Sequence, residues 1–150
     1  MDKKARGLRI ACGIVILLNI IVFFIPMTKY SVESYSPVMY SQFDYVTNVT
    51  SVDEPYYMDY STGRFFWMFF FILAPCVMSL VAGVWDIVAS EKKNFSWILV
   101  YIVLVLYIIL LISIGSYFPD DSFTRDMAGI WNIIISMAAG ILATIVFFIK

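Results

Sequence analysis

Four long apolar stretches constrain this chain more than any other feature. They run roughly over residues 8–26, 65–87, 97–114 and 127–149. Each is close to the ~20 residues that a helix needs to cross the hydrocarbon of a bilayer. Their isoleucine, valine and phenylalanine content favours strand in water. Lipid offers no partner to a backbone N–H or C=O, so such runs close their hydrogen bonds internally as helices. Composition agrees. The 150 residues are 62% hydrophobic and 14% charged, against ~45–50% and ~25% in soluble domains. The predicted fold is therefore an all-α integral membrane protein, one four-transmembrane-helix bundle over residues 1–150. A small extracytoplasmic cap, with β-structure, is expected from the first outer loop, residues 27–64.

The first stretch begins with Lys3, Lys4, Arg6 and Arg9, as a secretory leader would. No small-x-small cleavage pattern follows at residues 25–29, so the expectation is an uncleaved helix. Lysine and arginine set the sidedness. One side carries Lys3, Lys4, Arg6, Arg9, Lys92, Lys93 and Lys150, and the other only Lys29, Arg64 and Arg125. Both termini are thus expected in the cytoplasm and the chain in the plasma membrane as a multi-pass protein. The two outer loops hold eight acids against those three bases, a net charge of −5. Trp67, Trp85, Trp97 and Trp131 all fall near predicted span ends, where amphipathic rings gather.

The outer loop 27–64 holds seven tyrosines, among them Tyr35, Tyr40, Tyr45, Tyr56 and Tyr57. Tyrosine supplies rigid contact area with a hydroxyl at its tip, the chemistry of a recognition surface. These five are the candidate partner-binding residues. Residues 30–35 and 45–52 read as short strands from their aromatic and β-branched content. Asn48-Val49-Thr50 is a glycosylation sequon on the outer side.

Within the spans, Cys76, Ser79, Gly83 and Asp86 share one helical face, and Asn132, Ser136, Gly140 and Thr144 follow one another at intervals of four. Ser79, Gly83, Ser136, Gly140 and Thr144 are the candidate packing residues, because small side chains let helices approach closely. That pattern places the second and fourth spans at the centre and leaves the third, apolar nearly all round, facing lipid. Asn19, Asp86 and Asn132 are the intramembrane polar candidates. The two amides are expected to hydrogen-bond across helices. Asp86, at the inner edge, is expected to pair with Arg9, Lys92 or Lys93 in a surface-like ion pair. Cys12 and Cys76 read as small fillers, with Cys12 a candidate for acylation beside the basic segment.

The layout, four spans with inner termini and a long first outer loop, is similar to that of the claudin and tetraspan-like proteins. The Trp…Gly-Leu-Trp…Cys…Cys pattern of claudin first loops is missing, since residues 27–64 contain neither Trp nor Cys. No functional residue is carried over from that resemblance.

The chain has no histidine and two cysteines, which excludes His-based catalysis and multi-cysteine metal sites. No nucleophile–base pair stands out. The expectation is a non-enzymatic protein without cofactor or metal, not binding nucleic acid. It is expected to act as a partner-binding or scaffolding subunit through its acidic, Tyr-rich outer loop. Its partners are the lipid bilayer and another membrane protein or a second copy. The competing expectation is a small transporter or channel component that uses Asp86 and the polar stripes.

Overall fold

The structure is a computed structural model that describes residues 3–30, 38–47, 62–90, 96–117, 123–125 and 128–149. Four long helices dominate: α1 (Lys3–Val22), α3 (Thr62–Val88), α4 (Ser96–Tyr117) and α5 (Ala128–Phe148). Each holds a segment long and apolar enough to cross a membrane, so the protein is a multi-pass membrane protein. The shorter elements are β1 (Pro26–Tyr30), β2 (Val38–Ser41), the six-residue α2 (Gln42–Thr47) and β3 (Phe123–Arg125).

Helix α1 begins five residues before the apolar run and ends before Pro26. After Val22 the hydrogen bonds tighten, from Phe23 N–H on Asn19 O to Phe24 N–H on Ile21 O and Ile25 N–H on Val22 O. Pro26 then blocks continuation, because it has no N–H and disfavours helix in the residue before it. The chain leaves as β1, with proline at the first strand position, where a missing donor is tolerated.

β1 is the central strand of a three-stranded sheet ordered β2-β1-β3. Antiparallel pairing sets Tyr30 opposite Val38 and Thr28 opposite Tyr40 on one side, and Lys29 opposite Thr124 on the other. One sheet thus joins the two loops that chain alternation places at the same end of the bundle. The expected strand at 45–52 is a correction: Tyr45–Thr47 lie in α2. The physical reason is a capping box at its start. Ser41 donates its N–H and Oγ–H to Asp44 Oδ2, both at 2.7 Å, and Ser41 Oγ accepts from Asp44 N–H at 3.2 Å. Of the expected strand at 30–35, Tyr30 ends β1 and the rest lies outside the described residues.

The helices form a ring in which α1 and α4 each pack between α3 and α5. This corrects the expectation that the second and fourth spans pack centrally with the third facing lipid. Val100, Val103, Tyr107 and Leu110 of α4 are 0–2% exposed, as buried as any side chain here. The buried share is largest for the first span, 39%, and equal at 28% for the third and fourth. Lipid tails are as apolar as leucine, so hydrophobicity does not distinguish a core face from a lipid face. What distinguishes them is a heptad seam. The seam runs through buried positions 5, 9, 12, 16 and 19 on α1, 72, 75, 79, 82 and 86 on α3, 96, 100, 103, 107 and 110 on α4, and 129, 132, 136, 139 and 143 on α5, with positions 13, 22, 83 and 140 also buried. Alternating steps of three and four keep one stripe facing its neighbours in a gently coiled bundle.

Candidate functional site

Two polar layers lie inside the bundle, about three helical turns apart on α1, at Arg9 and Asn19. The first joins α1, α3 and α4. Arg9 donates from Nε to Asp86 Oδ1 at 3.1 Å, and from Nη1 to the Ser90 carbonyl at 3.4 Å. Ser96, at the first turn of α4, donates its hydroxyl to the same carboxylate oxygen. Of the three bases expected near Asp86, the structure selects Arg9, and Lys92 and Lys93 lie outside the described residues. The surface-like setting expected for Asp86 is a correction. Asp86 is 2% exposed and Arg9 6%, because each occupies a seam position on its helix and the helices touch there.

That contact is made by two glycines. A Cβ placed on Gly13 would stand 2.7 Å from the Gly83 carbonyl oxygen and 3.1 Å from Asp86 Cβ. The missing side chains let α1 and α3 cross backbone to backbone, one turn from Arg9 and Asp86. Gly83 was legible as a packing residue from its stripe. Gly13 belongs with Ala11 and Asn19 to the few small or polar residues of the first span, and one glycine in an apolar run carries no partner information.

The second layer joins α1, α3, α5 and α2. Asn19 donates from Nδ2 to Ser79 Oγ at 3.3 Å and to Ser136 Oγ at 3.1 Å. Asn132 donates from Nδ2 to Asn19 Oδ1 at 3.0 Å. Gln42, the first residue of α2, donates from Nε2 to Asn132 Oδ1 at 2.6 Å. Ser79 in turn donates to the Pro75 carbonyl at 2.7 Å. Asn19, Ser79, Asn132, Ser136 and Gln42 are all fully buried. Tyr107 of α4 is 1% exposed, and its hydroxyl completes no hydrogen bond among the described residues.

The four-residue stripe on α5 divides. Asn132 and Ser136 turn toward Asn19, while Gly140 and Thr144 turn toward α4. There Tyr101 donates its hydroxyl to the Gly140 carbonyl at 3.2 Å and also bonds the Thr144 hydroxyl. A strict interval of four drifts around a 3.6-residue helix, so the seam passes instead through Ala139 and Ala143. Cys12 is 1% exposed and donates its thiol to the Ala139 carbonyl at 3.3 Å. This overturns its candidacy for acylation, which needs an accessible sulfur. Both cysteines are free.

Tyr40 lies in β2 and Tyr45 in α2. Tyr35, Tyr56, Tyr57 and the Asn48 sequon fall outside the described residues. Trp85, Trp97 and Trp131 are exposed on the outside of the bundle. Gln42 is the residue that the sequence does not announce, and Tyr107 reads there only as one of two polar tyrosine side chains, with Tyr101, on the third span. The Ser41-x-x-Asp44 capping box marked the start of α2, but nothing local announces that its first side chain enters a membrane bundle.

Among the described residues no group of three or more Cys, Asp or Glu side chains gathers as a metal site. Between the two layers Ile16, Ala82, Val103 and Ala139 are all 0% exposed, an apolar floor that separates the ion pair from the amide network. No family model, no curated protein and no solved structure matches this chain.

Proposed function

We propose that this protein is a non-enzymatic scaffold of the plasma membrane, with both termini in the cytoplasm. In this reading it presents the acidic, Tyr-rich outer segment to a membrane-protein partner or a second copy. One observation carries the reading: the three intramembrane polar candidates, Asp86, Asn19 and Asn132, each bond side chains of other helices. Asp86 is held by Arg9 and Ser96, and Asn19 and Asn132 are held by Ser79, Ser136 and Gln42. A coupling acid in a transporter faces a path or a cavity, whereas these groups fasten helices. The sheet supports the same reading, because it anchors the base of the Tyr-rich segment to the loop before α5. The surplus of outer acid favours a partner with a basic face.

Sidedness is checked by cysteine labelling in a Cys12→Ala, Cys76→Ala background. Ser51→Cys and Ser122→Cys are expected to react with an impermeant thiol reagent on intact cells, and Ser90→Cys is not. Labelling confined to Ser90→Cys inverts the topology. The binding role is checked by changing Tyr35, Tyr40 and Tyr45 together to serine. Co-purification of the native partner in mild detergent is expected to be lost, while tryptophan fluorescence and elution volume show a folded bundle. The transport alternative predicts cation or proton flux in proteoliposomes that Asp86→Asn removes, with partner capture unaffected by the tyrosine changes.

A further inference from the structure

We infer that the sheet-side half of the bundle holds internal water, bound at Gln42 Oε1 and at the Tyr107 hydroxyl, in a chamber closed at its far end. The argument begins with the direction of the hydrogen bonds. The Pro75 carbonyl can only accept, so Ser79 Oγ must donate to it. Ser79 and Ser136 then accept from Asn19 Nδ2, which leaves Asn19 Oδ1 to accept from Asn132 Nδ2. Asn132 Oδ1 in turn accepts from Gln42 Nε2. Every amide along the chain is thereby oriented, and Gln42 cannot flip without setting oxygen against oxygen. Its Oε1 therefore points away from the network. It is buried and finds no donor among the described residues.

Tyr107 stands at the other open point. It is 1% exposed, and its hydroxyl completes no hydrogen bond among the described residues. A buried acceptor and a buried hydroxyl left without partners are rare in folded proteins, and ordered water is the usual remedy. Such water needs two to four polar contacts, and a carbonyl oxygen offers two lone pairs. Asn19 Oδ1 and Asn132 Oδ1 each accept one bond here, so each retains a second lone pair beside the two unpartnered groups. The layer of Ile16, Ala82, Val103 and Ala139 beneath offers no polar side chain, and apolar cavities stay dry. Water therefore enters from the side of Gln42 and stops above that floor, short of Arg9 and Asp86.

The test is water-edited solid-state NMR on the full chain in lipid bilayers, which reports which side chains receive magnetisation from water. Early transfer is expected at the side-chain amides of Gln42 and Asn132 and at the Tyr107 ring, and none at the methyls of Ile16 and Val103. In Gln42→Met the early transfer at position 42 is expected to be lost while that to Asn132 persists, because water replaces the lost donor to Asn132 Oδ1, with unchanged indole signals of Trp85 and Trp131 showing an intact bundle. In Tyr107→Phe, transfer to the ring at position 107 is expected to be lost while that to Gln42 persists. Absence of early transfer at Gln42 and Asn132 in the unmodified protein would overturn the inference. So would transfer to Ile16 and Val103 as early as to Asn132, because the chamber would then run through the membrane.

Discussion

Asp86→Ala is expected to destabilise the bundle by about 3–5 kcal/mol, the range for removing one partner of a buried ion pair. The remaining Arg9 would keep its charge at a position 6% exposed, with its carboxylate gone and lipid outside. Coulombic attraction is strong in such low dielectric, and so is the cost of losing it. The same physics predicts a rescue. Arg9→Met with Asp86→Leu and Ser96→Ala replaces the polar layer by apolar side chains of similar reach, and such replacements in soluble proteins are often neutral or stabilising. The measurement is thermal unfolding in detergent, followed by tryptophan fluorescence. A loss below about 1 kcal/mol for Asp86→Ala, the range of exposed pairs, would mean that the pair is solvated in the membrane after all. If the pair serves only to fasten helices, the triple variant also keeps partner binding.

Gly13→Ala and Gly83→Ala are each expected to cost about 1–3 kcal/mol, the usual range for overpacking a filled interior. The obstacle at Gly13 is a carbonyl oxygen 2.7 Å from the new methyl. A backbone atom cannot rotate aside as a side chain can, so α1 and α3 must separate. At Gly83 the new methyl meets Leu17 Cδ2 at 2.7 Å and the Gly13 carbonyl oxygen at 2.9 Å. Gly140→Ala is the control. Its methyl would first meet the Tyr101 ring at 3.4 Å, an ordinary contact, and alanine is the better helix former by roughly 0.5–1 kcal/mol. That variant is expected to be neutral or stabilising, whereas Gly140→Leu would still have to displace the Tyr101 ring. Unfolding midpoints of the four variants decide the matter. Equal tolerance at Gly13 and Gly140 would remove the case for a backbone contact between α1 and α3. The two predictions are coupled, because separating those helices also stretches the Arg9–Asp86 bond one turn away.

Much of this fold is legible without coordinates, for reasons that differ by element. The four spans follow from length and apolarity alone, since a lipid solvent leaves long apolar segments one backbone solution. The choice of Asp86, Asn19 and Asn132 as the groups that matter inside the membrane follows from the expense of polar side chains there. The small-residue stripes mark Ser79, Gly83 and Ser136, and all three positions are buried between helices. The third span resists this reading. Its face with Val100, Val103, Tyr107 and Leu110 does not differ in polarity from its face with Ile102, Val105 and Ile112. The stripe on the fourth span misleads for a related reason: identical intervals look like one face, while the helix carries Gly140 and Thr144 away from Asn132 and Ser136.

The amino-acid sequence by itself determines that the chain spans a membrane four times, where each span lies, and which few polar side chains must find partners. These are properties of each segment in its solvent, and solvent transfer is local. Tertiary structure alone decides the order of the helices around the ring, the pairing of Arg9 with Asp86, and the entry of Gln42 into the bundle. It also decides that Gly13 meets Gly83, and that Tyr107 rather than Tyr101 faces the core. Those outcomes depend on which helix faces which. Between helices in lipid that choice rests on close packing and on hydrogen bonds between residues far apart in the chain, and no local pattern encodes it.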